Sequence, residues 1–424
     1  MTRLNEGNSY YRASSPAYPG HEQLHGEISC DVCIVGAGFT GLSAALELAD
    51  AGYDVVVLEA ETVGWGASGR NGGQICSGFA DMGKIAAQAG ADDAQKCFDI
   101  AMEGIELIEE RTKKYKIDCD LTWGYLHVAA KATKVDEFKG WQEELADAGY
   151  TDTEILSKDE LAGRVGSPRY HGALREGRSG HFHPLKYCFG LAEAVSRAGV
   201  RIYEHSPVVE ADTGPAPFAK TKNGKVIAKH IIFAGNAYLG KLAKPLFYRI
   251  MPVGSFIIAT EALGENRARG LIAQNEAVAD TNFVLDYFRL SADHRMLFGG
   301  RCTYSGNIPE NLSDLMRPRM VRAFPQLEDA KVEHAWGGYI AITQNRIPDI
   351  GQLSPTSWYA HGFSGHGVVL SNMCGKLIAE GIRGQMERFD VVSQFKHPTF
   401  PGGPVRMPML VLAMAYYRLK DALG

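Results

Sequence analysis

Two features that would set the class of this protein at once are missing from its sequence: a long apolar run and a basic run. No stretch of about 18 uncharged apolar residues occurs, so no membrane-spanning helix is expected. Residues Met1 to Asn8 lack the apolar centre of a secretory signal, and a cytoplasmic protein is expected. With a net charge of -5 and no lysine/arginine cluster, nucleic acid is not an expected partner. Cysteine is sparse and scattered, at 30, 33, 76, 97, 119, 188, 302 and 374. Cys30 and Cys33 form a C-x-x-C, but residues three apart on a strand face opposite sides, so neither a disulfide nor a metal pair follows. His181 and His183 have no second ligand pair at zinc-like spacing, and no metal is expected.

Glycine, by contrast, is plentiful, with 48 in 424 residues, and three glycine-rich loops carry the functional reading. The first follows the apolar run Asp31 to Val35 and reads Gly36-Ala37-Gly38-Phe39-Thr40-Gly41. This is G-x-G-x-x-G between a strand and a helix, the context a dinucleotide pyrophosphate needs. The helix carries Leu42, Ala45, Leu46 and Ala49 at helical spacing and stops near Gly52. A second strand, Val55 to Leu58, delivers Glu59 with Ala60 behind it, 21 positions after Gly38. A carboxylate there accepts hydrogen bonds from a ribose diol and repels a 2′-phosphate. Unpaired N–H groups at the helix start favour the pyrophosphate.

The second loop, Gly64 to Gln74, follows closely and has Arg70 embedded in it. A nicotinamide domain has no need of it. Its backbone N–H groups can form an anion nest, with Arg70 adding charge. Gly66, Ala67, Ser68, Asn71, Gly72, Gly73 and Gln74 are the accompanying candidate cofactor contacts. With this loop the sequence resembles the flavoenzymes of the D-amino-acid oxidase superfamily, which carry the fingerprint, the acid and a G-A-S-x-x-N-G-G-like loop in this order. The cofactor implied is FAD. The third loop, His361 to Gly367, precedes a helix from Val368 to about Glu380. G-F-S-G-H-G is a flavin-contacting motif in that superfamily, which implies contacts from Gly362, Ser364, Gly365, His366 and Gly367. N–H groups at a helix start also stabilise negative charge on reduced flavin. The resemblance further implies backbone contacts to adenine near Val208 and Val209, and places Ala234-Gly235 beside the cofactor.

Between the loops, periodicity predicts helices over 91–115, 135–148 and 184–198, with a capping box from Ser157 to Glu160. Strands are expected over 120–130, 200–204 and 207–210, and residues 167–183 read as loop. Asn223-Gly224 is a hairpin turn signal. From Met251 the pattern changes to alternating strands, 253–259, 283–290 and 296–304, with Asp293-His294 as a turn and a helix over 309–324. The expected fold is α/β. A discontinuous Rossmann-like FAD-binding domain is drawn from 29–85, 158–240 and 337–390. A second, substrate-binding domain on a mainly antiparallel sheet takes 86–157 and 241–336. Residues 1–28 form a surface arm, and 391–424 an extension with an apolar helix over 407–419.

Within the superfamily, Ser9-Tyr10-Tyr11, Phe288 to Asp293 (F-R-L-S-A-D) and the F-G-G after it resemble the flavin amine oxidases of polyamine breakdown. That resemblance implies oxidation of an amine C–N bond, in gamma-glutamylputrescine or a related amine, to an imine and then an aldehyde, with O2 reoxidising the flavin to give H2O2. Tyr287, Arg301, Trp336 and His366 are the candidate catalytic residues. Arg289 shares a strand face with Tyr287, and Gly299 and Gly300 leave room for a ring or substrate. An arginine there can grip a carboxylate. Unlike sarcosine oxidases, residues 335–350 contain no cysteine, so FAD is expected to be non-covalent. Where those enzymes place a lysine above the ring, this chain has Met296-Leu297-Phe298. A dehydrogenase with another electron acceptor therefore stays open, as does a non-catalytic dinucleotide-binding protein. A monomer or homodimer is expected.

Overall fold

The computed structural model describes residues 9–282, 284–303, 309–401 and 403, without the side chains of Arg301 and Cys302. The 407–419 helix lies outside the described residues, as do Phe283 and Tyr304 at the ends of two expected strands. Among the described residues no helix is long and apolar enough to cross a membrane.

Two sheets organise the chain. The first runs in the order Asp349–Ser354, Ser357–His361, Gly224–Phe233, Gly26–Val35, Val55–Leu58, Arg201–Tyr203. Its centre is parallel: Val35 lies beside Leu58 on one side and Phe233 on the other. Val32 to Val35 and Val55 to Leu58 are buried throughout, which explains their unbroken apolar runs. The Phe39–Asp50 and Gly367–Ile382 helices pack together against this sheet.

The second sheet has the order Val332–Ile342, Met251–Thr260, Met296–Thr303, Tyr287–Leu290, Ala277–Asp280, Thr122–Val128, Ala173–His181, Gln74–Ile75, with Thr153–Leu156 on the edge of Ala173–His181. Its pairs are antiparallel except Ala277–Asp280 on Thr122–Val128. The Asp293-His294 turn is present, with Leu290 opposite Met296 and His294 at φ 63°. So is the Asn223-Gly224 turn, with Lys220 opposite Lys225, and the Ser157 capping box.

Four expectations change. Residues 173–181 are a strand, not a loop: ALREGRSGH has no clean alternation, but it pairs along both edges and its polar side chains find partners inside the sheet. Because it joins the second sheet, as do Gln74–Ile75 and Val332–Ile342, the boundaries drawn at 85, 158 and 337 do not follow the sheets. Residues 207–209 are not strand; the strand is Glu210–Asp212, paired with Phe218–Lys220. The arm lies on the surface for most of its described length, but its start does not. It forms a helical turn, Tyr10–Ser14, with Tyr10 and Tyr11 only 4% and 0% exposed.

Candidate functional site

The strand Gly26–Val35 ends at a turn only glycine can make. Gly36 has φ +114°, and a Cβ on it would lie 3.0 Å from the carbonyl of Ala234. One turn on, a Cβ on Gly41 would fall 1.9 Å from the Gly36 oxygen, so a bare backbone lets the helix start against the strand end. This turn opens onto a cavity of about 470 Å³. Gly36, Gly38, Phe39 and Thr40 line it, with Glu59 and Ala60 from the second strand end, and Gly66, Ala67, Ser68 and Asn71 from the second loop. Val208, Ala234, Gly235, Ser364, Gly365 and Gly367 also line it.

The first two loops are bonded to each other beside this space, and the third is fastened to the second sheet. Ser68 Oγ accepts from the Phe39 N–H at the helix start (3.0 Å). Glu59 accepts from the N–H groups of Ala37 (2.8 Å) and Glu61 (3.0 Å), one on each oxygen. Burial pushes the Glu59 carboxyl above its ordinary value, those backbone donors notwithstanding. Each oxygen retains a lone pair for a hydroxyl donor in the cavity. Ser364, at φ 55°, receives the Thr343 N–H on its Oγ and donates its own N–H to Ala341, fastening the third loop to the Val332–Ile342 strand. A dinucleotide fits these residues: a helix start, an acceptor carboxylate and two further glycine-rich loops all line one cavity.

Several expected residues lie elsewhere. Arg70 does not line the cavity; its Nε donates to Trp65 O (2.7 Å) and its guanidinium lies over the Trp65 ring (5.1 Å). Gly41, Gly72, Gly73, Gln74, Val209, Gly362 and His366 are also outside the lining, Val209 being 64% exposed. Trp336 is 3% exposed and faces the back of the second loop, its indole N–H donating to Arg70 O (3.0 Å). Arg289 offers no carboxylate grip: its donors go to Gly72, Leu290 and Phe182 carbonyls and to the Tyr11 hydroxyl. The room expected over Gly299 is taken by the Tyr287 ring, which also abuts Gly72. At Gly300 an Asp286 carboxylate oxygen stands 2.7 Å from where a Cβ would be. The Arg301 side chain is outside the described residues.

His366 caps the Gly367–Ile382 helix and lies 3.2 Å from Ser77 O through Nε2. A carbonyl only accepts, so Nε2 carries the proton and Nδ1 keeps its lone pair. Burial holds the ring below its ordinary value, so it is neutral near pH 7. Sequence reasoning missed a group close to it. Tyr125 lies opposite Glu176 across a strand pair, and Glu176 is 1% exposed with His127 Nε2 at 2.9 Å and Ser179 Oγ at 2.5 Å. Burial works against the Glu176 charge, but His127, Ser179 and Ser77 outweigh it and hold its carboxyl below the ordinary value. The alternation Trp123-Gly124-Tyr125-Leu126-His127 places Tyr125 and His127 on one face and was the available signal; Glu176 lay in the segment read as loop.

The profile of the family described as FAD dependent oxidoreductase matches residues 31–381. The chain is 43% identical over 420 residues to the gamma-glutamylputrescine oxidoreductase of Escherichia coli, covering 98% of this chain and 99% of that one. It is 41% identical over 399 residues to a probable oxidoreductase, OrdL, of Haemophilus influenzae, with 92% of each covered. Among solved structures, a glycine oxidase from Bacillus cereus superposes with a TM-score of 0.71 at 19% identity, over 86% of this chain and 98% of that one. An L-proline dehydrogenase from P. horikoshii gives 0.70 at 20%, over 87% and 95%. Those two likenesses speak to the fold, whereas the family match spans most of the sequence and takes in all three glycine loops: the chain belongs to the FAD dependent oxidoreductase family, and FAD is its cofactor.

Proposed function

We propose that this enzyme oxidises a C–N bond of gamma-glutamylputrescine, or of a closely related polyamine-derived amine. The observation that carries the reading is the 43% identity, over nearly the full length of both chains, to the E. coli protein of that name. FAD would be held in the cavity, with its ribose hydroxyls on Glu59, its pyrophosphate at the Phe39–Asp50 helix start, and its ring system between the second and third loops. When bound it supplies the hydride acceptor for the amine-bearing carbon, and the resulting imine hydrolyses to an aldehyde. The neutral His366, with its Nδ1 lone pair, would accept a hydrogen bond from the substrate amine, which reacts in its neutral form because hydride leaves readily only from a neutral amine. Tyr287, on the second sheet within 3.4 Å of Ser255 Oγ, would shape the substrate side. We further propose non-covalent flavin and a cytoplasmic site of action. Seven described cysteines are unpaired, a state that a reducing compartment maintains.

The test is anaerobic mixing of purified enzyme with gamma-glutamylputrescine, beside putrescine, sarcosine and D-alanine. Bleaching of the visible flavin band by the glutamylated amine alone supports the reading; bleaching only by another amine, or by none, overturns the substrate. Readmitting air then separates the two proposed fates of the electrons. Rapid return of colour with release of H2O2 fits O2 as acceptor. Slow return fits a dehydrogenase, a second reading favoured by the buried apolar run Met296-Leu297-Phe298 on a strand that carries no lysine.

A further inference from the structure

Asn71 lines the cavity, and its two neighbours in the loop are each held from behind. The Arg70 carbonyl accepts the Trp336 indole N–H (3.0 Å), and the Gly72 carbonyl accepts Arg289 Nε (2.8 Å). Both holding side chains converge on one residue of the N-terminal arm. The Tyr11 ring packs edge-on against Trp336, with centroids 5.1 Å apart at 69°, and its hydroxyl accepts from Arg289 Nη2 (3.1 Å). A third ring, His183, stands 4.8 Å away, and Tyr11 is fully buried. Arg289 is 3% exposed, and among the described residues its partners are three carbonyls and this hydroxyl, with no carboxylate.

We propose that Tyr11 is a positioning residue for the FAD-binding loop: it fixes Trp336 and Arg289, and through them the loop carbonyls on either side of Asn71. The arm lies far from the loop in sequence, yet it holds the surface of the cavity in its binding shape. Without the hydroxyl, Arg289 loses one of its acceptors in a dry site and is freer to release Gly72. Without the ring, Trp336 loses a packing wall as well. The proposal rests on FAD occupying the cavity that Asn71 lines.

The experiment compares the FAD dissociation constant and melting temperature of apoprotein carrying Tyr11→Phe, Tyr11→Ala, Leu327→Ala or Glu59→Gln with those of the unaltered chain. Leu327 is buried in the separate core beneath the second sheet, so its substitution lowers stability without touching the loop. Tyr11→Phe is expected to weaken FAD binding about threefold to tenfold, less than the full worth of a hydrogen bond to a charged group because the effect reaches the loop only through Arg289, and to alter the visible circular dichroism of the bound flavin. Tyr11→Ala should weaken it further. If Tyr11→Ala does not fold, Tyr11→Phe decides. The proposal is overturned if the Tyr11 variants melt lower, as Leu327→Ala does, yet bind FAD with unchanged affinity and unchanged flavin spectrum while Glu59→Gln weakens binding. Unchanged affinity in Glu59→Gln as well would overturn the placement of FAD itself.

Discussion

With FAD placed as proposed, Glu59 concentrates the cofactor chemistry in one side chain. Burial raises its carboxyl pKa, although two backbone N–H groups already donate to it. Ribose hydroxyls would add donors that favour the ionised form, so FAD binding releases a proton wherever the apoprotein carboxyl is still protonated. The sign follows: affinity falls as pH drops through the raised pKa, and holds steady above it. Glu59→Gln should weaken FAD about tenfold to hundredfold at neutral pH, the worth of hydrogen bonds to a charged acceptor, and should flatten that acid-side dependence. Titration of apoprotein with FAD across the pH range, by quenching of flavin fluorescence, checks both. A Gln variant with unaltered affinity would remove the ribose from Glu59. The place of this residue at the cavity was legible in the sequence because it depends on local spacing after a strand. Trp336 and Arg289 were misread because their partners, Tyr11 and the loop carbonyls, are distant in sequence.

Two joints between elements can be tested in isolation. The strand-to-helix crossing depends on Gly41, where a Cβ would strike a backbone oxygen at 1.9 Å and no flexible side chain can give way. Gly41→Ala should cost about 1–3 kcal/mol or more through overpacking, and the protein should purify without flavin; normal flavin content would show that the helix can shift. At the far side of the second sheet, Asp280 and Asp286 share a buried corner. Asp286 is paired with Arg319 (2.8 Å) and Arg169 (2.9 Å). Asp280 is pushed up to about 6, by burial first and then by the Asp286 charge. A folded-state pKa above the ordinary 3.8 means that stability from this group is present below that value and is lost as pH rises towards 6. Asp280→Asn should therefore melt higher than the unaltered protein at pH about 7, with the advantage shrinking as pH falls towards about 4, where the folded carboxyl is already protonated. Scanning calorimetry at the two pH values checks it, and a constant difference would refute the assignment.

At the scale of the whole molecule, the cavity is lined from both sheets, by the strand ends of the first and by Tyr339, Ile340 and Ala341 of the second. A ligand there joins the two, so cofactor loading should shift the melting of the entire chain. Free FAD at roughly a thousand times its dissociation constant adds about 4 kcal/mol to the folded state, and the melting temperature should climb with FAD concentration until unfolding is a single step. The same samples test attachment. Burial pushes the thiols of Cys76, Cys97, Cys119 and Cys374 up to about 12, leaving them protonated and unreactive. Acid precipitation should therefore leave all of the flavin in the supernatant; yellow colour in the pellet would contradict a non-covalent cofactor.

The sequence by itself determined the cofactor class and most of the turns that line the cavity. The glycine fingerprint, the acid at Glu59 and the G-F-S-G-H-G loop are short-range patterns whose chemistry depends on neighbours a few residues away, and each fixes its own strand, turn or helix start. It also determined the change to antiparallel strands after Met251. Only the tertiary structure decided which side chains face the cavity and which brace it from behind. Arg70 and Trp336 turn to backbone carbonyls, the Tyr10-Tyr11 arm enters the core, and a polar segment at 173–181 becomes a strand. In each case the partner is remote in the chain, and satisfying a buried charge, carbonyl or sheet edge outweighs the local pattern.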